Sequence, residues 1–377
     1  MILPTVVIDS AILVTPRLSA LPVELIPIHG TSLQASDLKN AQALLTRTVT
    51  RVDSDLLKHS SLTFVGTASA GTDHIDGRYL TQRNIALASA GGCNAAAVAD
   101  YVIDAIYLSG RLEPLMSGAS VGLVGYGAVG RHLAGRLSAL GAHVKVHDPF
   151  VPTIGREVHA CGLAEVLACS VVSLHAALHN SQPHPSFQMI DSLASACVAP
   201  EALFINAGRG GLVTEEALHR MADKGVTLVL DTWPNEPDVS MGLLSQVSFA
   251  TPHIAGYTRT AKVNATDFLI EPLMKALNLE SAMSATSETE ETKISIDFTG
   301  ESDVSALMKT LATVSQLSKD DDTFRRNWDR SPTSDNFEAQ RRDYRLRRQY
   351  SDLSITARNV STKTKALLKA AGFGSVN

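Results

Sequence analysis

A glycine-rich turn lies between a predicted strand and a predicted helix. Residues 125–130, Gly-Tyr-Gly-Ala-Val-Gly, follow the apolar run 120–124 and open an amphipathic pattern that continues to residue 141. Glycines at these three positions allow a tight turn and let a ligand approach the backbone at a helix N-terminus. Asp148 stands 18 residues beyond the last glycine, at the end of the next apolar run. Strand, turn, helix and acid in this register predict a dinucleotide-binding βαβ unit.

The acid also predicts which dinucleotide binds. A carboxylate accepts hydrogen bonds from the adenosine ribose hydroxyls and repels a 2′-phosphate, which favours NAD over NADP. The predicted NAD contacts from this motif are Gly125, Gly127, Gly130 and Asp148. The alternative is a glycine turn that serves close packing only.

Short β-branched runs alternate with helical patterns on both sides of the turn. They lie at residues 5–9, 43–50, 62–69 and 85–90 before it, and at 143–148, 171–176, 202–208, 227–231 and 247–255 after it. Continuous apolar runs joined by helices are typical of buried parallel strands. The sequence therefore predicts an α/β fold: two doubly wound parallel-sheet (Rossmann-like) domains around a cleft, plus a small C-terminal α/β domain.

Composition and pattern suggest the domain boundaries. We expect a discontinuous substrate-binding domain at residues 1–105 and 257–280, because a helix pattern after the last strand can pack back on the first domain. An NAD-binding domain occupies residues 106–256. Residues 281–292 are small, polar and acidic, as in a linker. The segment 293–377 is too apolar for a disordered extension, and its deletion is expected to leave the dinucleotide-binding body folded.

Charge and cysteine usage exclude several classes of protein. A formal net charge of −5 and a pI near 6.2 leave no basic field for nucleic acid or anionic lipid. The longest apolar stretch is interrupted by charged residues, so no membrane span is expected. The N-terminus lacks the basic start of a signal peptide. The four cysteines have no paired spacing, and they are Cys93, Cys161, Cys169 and Cys197. Such cysteines suit a reducing compartment, so we expect the protein in the cytoplasm.

Three ionisable residues follow predicted strands: Arg209, Glu236 and His253. Ligands of doubly wound sheets bind outside the carboxyl ends of the strands, so these side chains can share one site. An arginine can hold a substrate carboxylate, and a histidine can take a hydroxyl proton while a neighbouring glutamate supports its charge. Taken singly, each residue also fits a purely structural role, as a surface arginine, an acid in a loop or a histidine packed in the core.

Four segments together resemble the D-isomer-specific 2-hydroxyacid dehydrogenases: GYGAVGRHLAGRLSALG, INAGRGGLVTEEAL, LDTWPNEP and PHIAGYT. The resemblance implies an NAD-dependent enzyme that oxidises a 2-hydroxy acid, with Arg209 orienting substrate, Glu236 supporting the histidine, and His253 as the acid/base. It also implies NAD contacts at Asp148, Ala207, Gly208, Arg209, Asp231 and Gly256, and substrate contacts at Thr48, Ser69 and Tyr257.

A narrower resemblance involves one branch of this family, which acts on a small phosphorylated 2-hydroxy acid. It rests on residues 64–76 and 91–102 and on the C-terminal segments FEAQRRDYRLRRQYSDLSI and LLKAAGFGSVN. It implies that residues 293–377 form a dimerisation domain and that the partner is a second copy of the chain. Thr48 and Ser69 exchange one hydroxyl residue for another relative to this branch, and Ala176 lacks a hydroxyl that usually contacts the cofactor.

Two alternatives to this function remain at this point. One keeps the chemistry with another substrate, such as phosphoglycerate or an unphosphorylated 2-hydroxy acid. The other is a non-catalytic NAD-sensing binding protein on the same fold.

The remaining features favour structural roles. The histidine pairs 143/147 and 175/179 fall on strands or loops, where two imidazoles stand too far apart to share an ion, so no metal is expected. Cys93 fits a small buried residue better than a reactive thiol. The run RRDYRLRR at 341–348 can bind a polyanion, but neighbouring acids favour a solvated, salt-bridged helix or an interface.

Overall fold

The computed structural model describes residues 3–151, 155, 158–280 and 291–377. The chain divides into two compact units: unit 1 comprises Met1–Asn94 and Thr258–Glu290, and unit 2 comprises Ala95–Tyr257 and Glu291–Asn377. Of the predicted linker 281–292, all but the last two residues lie outside the described part of the chain. The predicted fold class is confirmed: each unit contains a parallel, Rossmann-like sheet, and a small α/β segment ends the chain.

The strands of the described residues are short. They are β1 (Thr5–Asp9), β2 (Glu24–Ile28), β3 (Ala43–Thr46), β4 (Phe64–Thr67), β5 (Ala86–Ser89), β6 (Ser120–Val124), β7 (His143–His147), β8 (Val158–Ala160), β9 (Val171–Leu174), β10 (Leu203–Asn206), β11 (Thr227–Leu230), β12 (Phe249–Ala250), β13 (Thr292–Asp297) and β14 (Leu353–Arg358).

The helices of the same residues range from single turns to five turns. They are α1 (Pro16–Ser19), α2 (Ser54–Leu57), α3 (Gly77–Gln82), α4 (Ala95–Leu108), α5 (Leu112–Met116), α6 (Ala128–Ala139), α7 (Leu163–Leu167), α8 (Glu215–Asp223), α9 (Met241–Gln246), α10 (Arg259–Ala276), α11 (Asp303–Val314), α12 (Leu317–Arg330), α13 (Ser334–Arg342) and α14 (Thr362–Ala371). Within the described ranges, none is long and apolar enough to cross a membrane.

Unit 1 is built on a sheet in the order β2-β1-β3-β4-β5, with every neighbouring pair parallel. The edge strand β2 was not predicted, because its sequence contains Pro27 and its side chains are mostly exposed. An edge position tolerates a proline that a central strand would not. Helix α10 returns to this unit, where Leu269 and Leu273 share a buried core with Val6 and Phe64.

Unit 2 contains a parallel sheet in the order β12-β11-β10-β9-β6-β7-β8. The strand order reverses between β6 and β9, so the carboxyl ends of these strands form a switch point of the kind that binds ligands. Strand β12 covers two of the nine residues predicted for it. Pro252 has no N–H for the ladder and His253 has φ 56°, so the backbone leaves the sheet before the histidine.

The C-terminal segment packs on unit 2. Strands β13 and β14 pair in parallel, and Leu307 and Leu368 join the core that contains Leu133 of α6. Phe324 and Phe337 join the second core of the same unit. Helix α4 also belongs to unit 2 as a whole, although the predicted boundary after residue 105 cuts through it.

The basic run 341–348 is not a solvated helix. Helix α13 ends at Arg342, and Arg347 is only 9% exposed. The structure therefore corrects the helical interpretation, because the stem of an arginine packs against apolar surface while its guanidinium finds carbonyl partners.

Candidate active site

The glycine turn lies at the carboxyl end of β6 and leads into α6. Gly125 has φ 99°, and a Cβ there would collide with the backbone of Ala176. A Cβ on Gly130 would collide with the carbonyl oxygen of Gly125, whereas one on Gly127 would meet nothing within 4 Å. Two glycines are thus needed for packing, and the third leaves open space at the N-terminus of α6. This cradle fits the pyrophosphate of a dinucleotide.

Asp148 follows β7, the neighbour of β6, and is fixed by the turn itself. Its Oδ2 accepts the amide of Tyr126 at 2.7 Å, and its Oδ1 accepts the amide of Phe150 at 3.0 Å. The carboxylate therefore stands beside the glycine turn, where a ribose would follow the pyrophosphate. Its charge and remaining lone pairs suit ribose hydroxyls and oppose a phosphate.

We expect the protein to prefer NAD to NADP by more than about tenfold in the efficiency of the predicted reaction. NADP places a dianion against Asp148 and removes ribose hydrogen bonds, which together cost about 2 kcal/mol or more. Initial rates with both cofactors at saturating substrate measure the preference. Equal efficiencies would remove Asp148 from this role.

Arg209 follows β10 in a tightly packed turn. A Cβ on Gly208 would lie 2.8 Å from the carbonyl oxygen of Leu174, so the turn approaches β9 closely. The side-chain amide of Asn206 donates to the carbonyl of Arg209 at 3.1 Å, and the Arg209 guanidinium donates to the carbonyl of Gly208 at 2.9 Å. The half-buried guanidinium of Arg209 is therefore carried by a turn whose backbone is fixed by packing and hydrogen bonds. Ala207, another predicted NAD contact, belongs to the same turn.

His253 and Glu236 form a direct pair. Nδ1 of His253 lies 2.7 Å from Oε1 of Glu236, and the two side chains are 25% and 27% exposed. The amide of Trp233 donates to the other carboxylate oxygen at 3.2 Å. Burial alone would raise the pKa of Glu236, but the charge and hydrogen bond of His253 and the Trp233 amide lower it below its usual range. With Nδ1 held by the carboxylate, Nε2 is the ring atom that can exchange a proton with a ligand.

The loop that carries His253 is organised by Asp231. This buried carboxylate accepts the amides of Ile254 at 2.7 Å and Ala255 at 2.9 Å, and the hydroxyl of Thr251 at 2.6 Å. The backbone amide of His253 also donates to the Asp231 carbonyl at 2.7 Å. Burial raises the pKa of Asp231, although the charge of His253 and these donors oppose the shift. Such restraints hold His253 in a left-handed conformation that a side chain rarely adopts.

The predicted residues fall in two groups. Strands β10, β11 and β12 are neighbours, so Arg209, Glu236 and His253 follow them at one edge of one sheet. Gly256 and Tyr257 continue the loop that carries His253, and residues 253–257 are called the histidine loop below. Thr48 and Ser69 belong instead to unit 1, where they follow the neighbouring strands β3 and β4. Ala176 follows β9 and borders the glycine turn.

Other candidate groups have no place in this site. Cys93 is 7% exposed, and burial raises the pKa of its thiol to about 12, so it is not a ready nucleophile. Among the residues that the structure describes, no cluster of three or more His, Cys, Asp or Glu side chains could hold a metal ion.

Comparison with known proteins places the chain in a family. Residues 107–255 match the NAD-binding domain of D-isomer-specific 2-hydroxyacid dehydrogenases, and residues 290–372 match a domain of unknown function. The erythronate-4-phosphate dehydrogenase of Psychromonas ingrahamii is 34% identical over 351 residues, covering 92% of this chain and 90% of the relative. That of Marinobacter nauticus is 36% identical over 366 residues, covering 92% and 93%. The chain belongs to the erythronate-4-phosphate dehydrogenases.

Solved structures share the fold at lower identity. The TT0316 protein of Thermus thermophilus matches with a TM-score of 0.63 at 22% identity, over 73% of this chain and 97% of that one. The NAD⁺-bound 3-phosphoglycerate dehydrogenase of Entamoeba histolytica matches with a TM-score of 0.63 at 19% identity, over 74% and 97%. Each match covers about three quarters of this chain and nearly all of the other.

Membership of this family confirms the predicted NAD-dependent 2-hydroxyacid dehydrogenase and the narrower branch within it. The roles of individual residues stay predictions, supported by the geometry described above.

Sequence reasoning missed two arginines beside the histidine loop. Arg347 donates to the carbonyls of Ala97 at 2.6 Å and Ile254 at 3.1 Å, and also to that of Ala255. Arg341 donates to the hydroxyl of Tyr257 at 3.3 Å. The basic run 341–348, which Asp343 interrupts, gave no signal that distinguished these side chains from surface arginines.

Proposed function

We propose that the protein oxidises 4-phospho-D-erythronate at its 2-hydroxyl to 3-hydroxy-2-oxo-4-phosphobutanoate with NAD, a step of pyridoxal 5′-phosphate (vitamin B6) biosynthesis. The observation that carries the chemistry is the 2.7 Å pair of His253 and Glu236 at the same sheet edge as Arg209. The substrate is supported by the names of relatives that align over nine-tenths of the chain.

Each residue of the site has a distinct task in this reaction. Arg209 binds the substrate carboxylate, a pairing whose fixed geometry orients the hydroxyl-bearing carbon. His253 takes the hydroxyl proton on Nε2, while Glu236 stabilises the imidazolium that results. The glycine cradle and Asp148 would hold NAD, which would supply the hydride acceptor for the oxidation of the same carbon. In the reverse direction His253 returns the proton to the carbonyl oxygen.

A spectrophotometric assay tests the proposal. We expect NADH absorbance to appear with NAD and 4-phospho-D-erythronate at a catalytic efficiency at least about tenfold above that with phosphoglycerate or lactate, since a site built to bind a substrate's polar groups rejects analogues that lack them. A preference for either of those acids would keep the chemistry and change the substrate. NADH binding without turnover of any of them would instead indicate an NAD-sensing protein.

Glu236→Gln should lower kcat and move the acid limb of the pH–rate profile to lower pH. The amide keeps the size of the side chain but removes the anion beside Nδ1, so the protonated imidazole becomes less stable and the neutral base persists further into acid. The pH dependence of kcat/KM for hydroxy-acid oxidation measures this. An unchanged profile would take Glu236 out of the mechanism.

The same proposal includes a cytoplasmic homodimer. The cysteines of the described chain are free, which suits a reducing compartment, and a symmetric pair is the commonest oligomer. Most of the apolar side chains of segment 293–377 lie in the chain's own cores. The dimer therefore rests on the family resemblance, and light scattering of the full-length chain tests it.

A further inference from the structure

Arg341 lies at the last turn of α13 and faces the histidine loop, not solvent. Its side chain is 13% exposed, and its guanidinium donates to the hydroxyl of Tyr257 at 3.3 Å. The same guanidinium lies 5.9 Å from the ring centre of Tyr257 and 6.0 Å from that of Phe337. Its Nη1 also donates to both carboxylate oxygens of Glu338, at 2.9 and 3.2 Å. Two aromatic rings, a carboxylate and a hydroxyl thus fix one cation.

The segment that supplies Arg341 is also held against the histidine loop by hydrogen bonds from a second arginine. Arg347, six residues further along the chain, binds the carbonyls of Ile254 and Ala255. The amides of these two residues are bound by Asp231, so the peptide groups just after His253 are held from both sides. Because Arg347 is buried and contacts three carbonyls, the position of α13 relative to Tyr257 is fixed by the fold.

The hydrogen bond to Tyr257 has a direction. A guanidinium only donates, so the phenolic oxygen is the acceptor and its own proton points away from Arg341. Tyr257 then acts as a donor toward any further partner, which suits an anionic or carbonyl oxygen of a substrate. Loss of Arg341 would remove the charged donor that orients the hydroxyl of Tyr257.

The charge of Arg341 also acts on Glu236. Burial would raise the pKa of Glu236, and Arg341 is one of the groups that lower it, after His253 and the Trp233 amide. Among the groups that interact electrostatically with this pair, Arg341 acts on Glu236 and Asp231 interacts with His253, while Arg341 itself interacts with Tyr257 and Glu338. Arg341 is a cation whose side chain is only 13% exposed, and this low exposure limits screening of its charge by water.

We propose that Arg341, supplied by the C-terminal segment, is a positioning residue of the dehydrogenase reaction, which fixes the hydroxyl of Tyr257 at the end of the loop that carries His253. This inference rests on the proposed function, in which Tyr257 contacts substrate and Glu236 supports the histidine. It gives the added segment a part in catalysis that is separate from dimerisation.

The test compares Arg341→Gln with Arg342→Gln in the full-length chain. Arg342 is the next residue of the same helix, but it is 61% exposed and pairs only with its neighbour Asp343 in the described contacts. We expect Arg341→Gln to lower kcat/KM by about 10- to 100-fold, as for loss of a charge-assisted hydrogen bond, and Arg342→Gln to leave it within about twofold. The NADH dissociation constant of both variants should stay near wild type, and the rates are compared below the melting temperature of each variant.

Two further readouts separate positioning from general stability. In Arg341→Gln the Glu236–His253 pair loses a nearby cation and holds its proton to higher pH, so the acid limb of kcat/KM should move up. Arg341→Lys keeps the charge and should restore the wild-type limb while recovering only part of the activity. The fold-loss of kcat/KM in the double variant Tyr257→Phe/Arg341→Gln should be smaller than the product of the two single fold-losses. Both substitutions remove the same hydrogen bond, the one between Arg341 and Tyr257.

The proposal would be overturned by an Arg341→Gln enzyme that matches Arg342→Gln, or by a double variant with fully multiplicative losses and an unmoved pH limb. The comparison uses whichever 2-hydroxy acid the wild type oxidises, so a different substrate leaves it intact. If the wild type oxidises none, NMR titration of the His253 ring in wild type and Arg341→Gln gives the same readout without turnover. An unmoved titration there would also overturn the proposal.

Discussion

Replacing His253 by alanine should reduce turnover by about 100- to 10,000-fold while NADH still binds with near wild-type affinity. The histidine handles the substrate proton, and a general acid–base group of this kind contributes that range of rate. Its Nδ1 is held by Glu236, whereas the glycine cradle and Asp148 belong to other strands. Steady-state rates and NADH fluorescence titration measure the two effects separately.

His219→Ala provides the matched control. His219 lies on α8 with a 37% exposed side chain, where its ring contacts Gln246 and Glu215. Loss of this imidazole should leave turnover within about twofold, because surface substitutions away from a site change little. A large effect at His253 therefore cannot come from removal of any histidine. Near-normal turnover in His253→Ala would assign the proton transfer to another group.

Much of the site could be predicted because its signals are local in sequence. The glycine turn needs three glycines at fixed spacing, and two of them are required by backbone contacts that no other residue permits. Arg209, Glu236 and His253 each follow an apolar strand, so parallel strand order alone brings them to one edge. What the pattern could not give is the 2.7 Å contact of Glu236 with His253, which depends on the loop that Asp231 binds.

The C-terminal segment was harder to predict because its charge density hides its core. Phe324 and Trp328 lie one helical turn apart on α12 and are 1% exposed, yet charged residues surround both in the sequence. Their spacing, with Leu317 two turns earlier, is the signal that indicates a buried helix face. Arg341 and Arg347 carry no such signal, since a buried arginine and a surface arginine have the same neighbours in sequence.

Deleting the chain after Thr292 should abolish folding of unit 2, contrary to the expectation from sequence that a dinucleotide-binding body survives. The segment supplies Phe324, Trp328 and Phe337 to one core of the unit, and Leu307, Leu311, Leu368 and Phe373 to the other. Burial of each such side chain contributes about 1.5–3 kcal/mol, and the deletion would leave the apolar side chains of unit 2 that share these cores exposed to water.

The deletion also removes partners from buried charges of α4. Asp100 binds Arg136 at 2.5 Å and accepts the amide of Tyr350 at 2.9 Å, while Asp104 accepts the hydroxyl of Tyr350. Burial already raises the pKa of Asp104 to about 7. Without the segment, these carboxylates lose the Tyr350 donors and the nearby charge of Arg347.

Circular dichroism melting and NADH binding of the truncated chain measure this prediction. Trp328→Ala in the full-length chain is the graded comparison. It should lower the free energy of unfolding by about 3–5 kcal/mol and still bind NADH, because a single cavity destabilises the unit less than removal of the whole segment. A truncated chain that melts cooperatively and binds NADH would show that the cores of unit 2 close without the segment. The structure argues against that outcome, because the same residues that would form a separable dimerisation domain are the ones that complete the nucleotide-binding unit.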